Sequence, residues 1–139
     1  IVAVLGGIAL SLQAPLNSAL AKEAGDTVFA ACVSFLFGFL ALFVVVALRG
    51  AWPSMVQLQA VPWWAWLGGL FGAFYVFSLT FAVSSLGALS AVAALIFGQL
   101  VAALILDSLG AFRLPVQEIT APRIAAVALV LAGLVLSRF

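Results

Sequence analysis

Charge is what this sequence has least of. Of its 139 residues, four are Asp or Glu and five are Lys or Arg, 6% in all, where an ordinary soluble domain carries roughly 25%. A chain that is 68% hydrophobic cannot cover its surface with so few ionised groups, so its solvent is lipid. The nine charges, Lys22, Glu23, Asp26, Arg49, Asp107, Arg113, Glu118, Arg123 and Arg138, all fall between long apolar runs and not inside them. Histidine is missing and cysteine occurs once, at Cys32, which excludes a zinc or haem site and an intrachain disulfide. Inside its apolar run, Cys32 reads as a small packing residue. Without histidine, an acid pair or an activated nucleophile, the chain does not read as an enzyme, and it implies no metal and no cofactor. A net charge of +1 provides no basic stripe for nucleic acid.

What is present is apolar and helical in length. A bilayer core of about 30 Å takes about 20 helical residues, and five stretches qualify: about 2–21, 27–48, 63–83, 87–106 and 121–138. None alternates apolar and polar residues as a transmembrane barrel strand does. The expectation is an all-α integral membrane protein, one domain over residues 1–139 with five transmembrane helices. The chain opens on Ile1, so a residue or more is expected before it, and the first run is too polar at its centre for a cleaved signal peptide.

That polar centre is Ser11-Leu12-Gln13-Ala14-Pro15-Leu16-Asn17. Pro15 has no N–H for the carbonyl of Ser11, so a kink is expected there. Gln13 and Asn17 are four residues apart, which places both amides on one helical face. Gly25 suits a C-cap, and Asp26 or Thr27 an immediate N-cap, so the first two helices form a tight antiparallel hairpin. The second run carries Ala31, Ser34, Gly38 and Ala41 on one stripe, Ser34 being expected to bond back to its own helix.

Between the second and third runs, Met55, Val56, Leu58 and Gln59 fit a short interfacial helix. Trp52, Trp63, Trp64 and Trp66 make an aromatic belt at headgroup level. Gly68 and Gly72 permit close helix approach, with Tyr75 further along their stripe. A tight turn is expected at Ser84-Ser85. In the fourth run Ser90, Ala94, Gly98 and Ala102 form a small-residue ridge for helix packing, and Gln99 beside it is another amide at membrane depth. Thr120 and Pro122 start the fifth run, which looks structural.

Five spans put the chain ends on opposite sides. Arg49, Arg113 and Arg123 then lie on one side, Lys22 and Arg138 on the other, and orientation is normally set by an excess of basic residues in cytoplasmic loops. The near balance predicts insertion both ways and an antiparallel homodimer, the unfused equivalent of an inverted-repeat transporter.

The chain resembles the YdcZ-like five-helix family of the drug/metabolite transporter superfamily over about residues 6–138. Carrying the resemblance are Gln13 and Asn17, Ser34-Phe35 with Gly38, Pro62-Trp63-Trp64 leading to Gly68-Gly69 and Gly72-Ala73, and Leu86-Gly87-Ala88. Gly98-Gln99, Asp107 with Gly110, Phe112 with Pro115, and Arg123 continue it. Family members tend to have proline near Ser84-Ser85 and histidine after the aspartate, where this chain has Ser108. The resemblance implies dimers of opposed orientation in a bacterial inner membrane and a small-molecule transport role, without naming a substrate. Related four-helix multidrug exporters carry a glutamate in their first helix; this chain offers only Gln13, which cannot titrate.

The expected function is transport of a small organic molecule by alternating access between antiparallel protomers. Gln13, Asn17, Tyr75 and Gln99 are the candidate binding residues, and Pro15 is the flexing point. Neutral amides favour a neutral or zwitterionic solute. Asp107 is a possible coupling residue, more readily a loop anchor. The competing reading is a non-transporting assembly subunit, whose amides serve as interhelical glue and whose small-residue faces pack a partner.

Overall fold

The computed structural model describes residues 1–139. Every regular element is helical: α1 (Val2–Ala24), α2 (Thr27–Arg49), α3 (Met55–Gln59), a 3-10 segment (Trp63–Leu67) leading into α4 (Gly68–Leu86), α5 (Ala88–Leu109), a 3-10 turn (Ala111–Arg113) and α6 (Ala121–Leu136). The chain divides into two compact units, Ile1–Phe81 and Ala82–Phe139.

In the first unit α1 and α2 form the antiparallel hairpin that the Gly25-Asp26 pair dictates. Gly25 closes α1 at φ +76°, a left-handed conformation that glycine adopts without strain. Asp26 then caps α2 by accepting the N–H of Phe29. Lys22 in the last turn of α1 complements the helix dipole. The buried residues of the hairpin are small, Ala14, Ala30 and Ala31, together with Asn17. Small side chains let two helices approach closely where lipid supplies no hydrophobic drive between them. Helical structure continues without interruption through Pro15, which is exposed, and Ser11 Oγ donates to the Gly7 carbonyl one turn back at 3.0 Å.

Trp52 packs edge-on against Phe43 with ring centroids 5.5 Å apart, docking the chain after α2 onto that helix. The short helix expected at residues 55–59 is present and opens with a capping box: Ser54 Oγ accepts the Gln57 N–H, and the Gln57 side chain accepts the Ser54 N–H. Along α4, a Cβ built on Gly72 would sit 3.3 Å from Cζ of Phe35, whereas Gly68 and Gly38 face open space. The close approach at Gly72 is therefore to an aromatic ring, not to a neighbouring backbone. Ser84 and Ser85 belong to the last turn of α4; the break falls at Gly87, with φ +79°, and not at the two serines.

In the second unit α6 lies antiparallel along α5, tied at both ends. Near the start of α5, the Ser90 and Ser137 hydroxyls are 3.0 Å apart. At its other end Asp107 forms an ion pair with Arg123. The fifth helix is shorter than the sequence implies. It ends at Leu136 and has 16 residues, or about 24 Å at 1.5 Å per residue, against the bilayer core of about 30 Å. Four helical stretches are long and apolar enough to cross a membrane on their own: Val2–Ala24, Thr27–Arg49, Trp63–Leu86 and Ala88–Leu109. Only the Ser90 end of the ridge on α5 meets α6, while Gly98 and Ala102 are exposed. The side of α5 turned to α6 includes Ala93, Leu100, Ala103 and Leu104.

Candidate functional site

Gln13 is the central residue of α1, with Val2–Leu12 on one side and Ala14–Ala24 on the other. It therefore lies about 16 Å from either helix end, deep in the hydrocarbon of any bilayer that α1 crosses. An amide at that depth must find partners, because lipid offers none. Gln13 finds one on α2: its Nε2 donates to Ser34 Oγ at 2.8 Å. Asn17, one turn on and buried, donates its Nδ2 to the same oxygen at 3.2 Å. Ser34 is the residue that sequence reasoning undervalued. It joins the two helices through its oxygen, where a bond back to its own helix was expected. No spacing in the chain could reveal this, since Ser34 is 17 and 21 residues from its partners.

Gln13, Asn17 and Ser34 line an open groove of about 510 Å³ whose other walls include Leu12, Leu16, Val33 and Phe37. That volume falls within the roughly 300–1,000 Å³ of small-molecule sites. Size alone does not single it out. A groove of the same volume lies between α5 and α6, but Ser137 is its only polar side chain. The two amides and the hydroxyl distinguish the first groove chemically, and no ionisable side chain lines it.

Tyr75 is half-buried on α4 in the same unit. Gln99 is exposed on α5 and belongs to the second unit. Cys32, expected to pack, is exposed on α2. Asp107 lies near the end of α5 and is partnered through both its side chain and its backbone. Its carboxylate pairs with Arg123, and its carbonyl accepts the Gln117 N–H at 2.9 Å. Arg123 also donates to the Glu118 carbonyl at 3.2 Å. The pair thus pins the segment after α5 to both helices that it joins. No group of His, Cys, Asp or Glu residues is arranged to hold a metal ion.

The model of a family described as "Putative inner membrane exporter, YdcZ" matches residues 1–136. The inner membrane protein YdcZ of Escherichia coli (strain K12) is 24% identical over 136 residues, covering 97% of this chain and 91% of that protein. No solved structure matches. With the family model spanning nearly its whole length and apolar helices throughout, this chain is a multi-pass inner membrane protein and belongs to the YdcZ family.

Proposed function

We propose that the protein transports a small neutral or zwitterionic organic molecule across the inner membrane, by alternating access between two protomers of opposite orientation. The family's description as an exporter supports the transport class. The observation that carries the reading is the amide and hydroxyl cluster of Gln13, Asn17 and Ser34, set at the middle of α1 in the wall of an open groove. Polar groups at that depth persist where they are buried in protein or line a cavity. Leu12 and Leu16 on the rim are mostly exposed in the single chain. A second copy would close the groove and complete a site of which one chain supplies half.

The inverted pairing requires an odd number of spans, and α6 decides the parity. Its 16 residues are few, but it runs beside α5 from Asp107 to Ser90, which supports its crossing along with α5. On that reading the chain has the odd number of spans that the pairing needs.

A second reading has one observation in its favour: both amides already spend N–H groups on Ser34, as interhelical glue would. An assembly subunit would leave the groove filled by a partner helix. Replacing Gln13 by Leu separates the two. As a transporter the variant keeps its dimer but loses stabilisation by bound solute in a thermal-shift screen; solute binding unchanged from the native chain refutes the assignment.

A further inference from the structure

Ser34 constrains what the other two members of the cluster can offer. A hydroxyl oxygen accepts through two lone pairs, and here both are taken, one by Gln13 Nε2 and one by Asn17 Nδ2. A planar amide held at Ser34 by one N–H keeps its second N–H and its carbonyl oxygen for other partners. The side-chain hydrogen bonds of Gln13 and Asn17 are both made through nitrogen, and their carbonyl oxygens accept none. Asn17 is only 7% exposed, so its oxygen has little access to outside partners except through the groove that it lines. Two acceptors one helical turn apart are thereby left open, in a wall free of charge.

Resting on the reading of this groove as the solute site, we propose that Ser34 sets its specificity: by engaging one N–H of each amide it fixes the amide orientation, leaves their carbonyl oxygens to the solute and selects neutral molecules with adjacent N–H donors, of the carboxamide or urea class. A cation would find no carboxylate to compensate it there. A solute with acceptors alone could reach only the one N–H that each amide keeps beyond Ser34 and would leave both carbonyls unpaired, which sites built for hydrogen bonding disfavour. Ser34 acts through the amides and is a positioning residue. Without its hydroxyl each amide is free to turn over and present N–H instead, so the preference itself should vanish, not merely weaken.

The test uses the purified chain and three probes with one ring and one carbonyl: benzamide, N-methylbenzamide and N,N-dimethylbenzamide, offering two, one and no N–H groups. Affinity, read from thermal stabilisation against concentration, should fall about three- to tenfold for each N–H removed. The Ser34→Thr variant keeps this gradient, and in Ser34→Ala the three probes bind within about twofold of one another. The Asn17→Leu variant loses the gradient's steepest step. Equal affinity for all three in the native chain, lost in Asn17→Leu, overturns the donor preference while leaving the groove as the solute site. Binding that Asn17→Leu and Gln13→Leu leave untouched overturns the groove reading itself. A full gradient in Ser34→Ala, or no binding of any probe, overturns the role given to Ser34.

Discussion

At the scale of residues, one hydroxyl oxygen holds two amides from another helix, and this places a structural and a candidate binding role on the same three side chains. The structural part is modest. Interhelical hydrogen bonds between side chains in membranes average about 0.6 kcal/mol, so Ser34→Ala should destabilise the protein by about 1 kcal/mol, measured by unfolding in mixed micelles. Ser34→Thr should recover most of that. The amide pair was legible in the sequence because a spacing of four places two side chains on one helical face. Their acceptor was not, because pairing between α1 and α2 depends on how the hairpin closes and not on local spacing. Asp107 was similar: its place at a helix end was readable, but its partner Arg123, 16 residues away, was not.

At the scale of elements, the stops and starts of helices are set by a few backbone positions. Gly110 ends α5 at φ +59°, and an added Cβ would lie 2.7 Å from Cγ2 of Val116. Gly25 also has a positive φ, but a Cβ there meets nothing within 4 Å. Gly25→Ala should therefore cost about 1 kcal/mol from backbone strain alone, and Gly110→Ala clearly more, compared by thermal unfolding. The segment after Gly110 holds Phe112 and Arg113 at positive φ, at 55° and 67°, conformations that non-glycine residues adopt only when their surroundings enforce them. The Asp107–Arg123 pair is part of that enforcement. Arg123→Gln should speed tryptic cleavage after the exposed Arg113 several-fold, and exchanging the two charges, Asp107→Arg with Arg123→Asp, should restore resistance. If cleavage is equally slow in Arg123→Gln, the ion pair does not anchor the segment. Helix starts and stops were largely readable from glycine and capping residues. The turn expected at Ser84-Ser85 was not: both serines tolerate a last helical turn, and the break comes at Gly87, at φ +79°, where the fourth run was expected to start.

At the scale of the molecule, composition alone led to a membrane protein, since a chain this poor in charge has no other solvent. The number of spans was harder, because α6 stops two residues before the end of its apolar run and is short for a bilayer. Its end-to-end ties to α5 support the proposed fifth span. Reporter fusions to the C-terminus should then be active on both sides of the membrane, as an inverted pair requires; activity on one side alone contradicts the pairing. The groove carries no titratable group, so solute binding to it should be flat across neutral pH.

The central claim is that the α1–α2 groove carries a solute across the membrane, and counterflow in proteoliposomes tests it most directly. Vesicles containing the purified protein are loaded with an unlabelled compound found by thermal shift to stabilise the native chain, then given the same compound in labelled form outside. The prediction is transient, saturable accumulation of label with the native chain and none above empty vesicles with Asn17→Leu. Accumulation by Asn17→Leu equal to that of the native chain would contradict it.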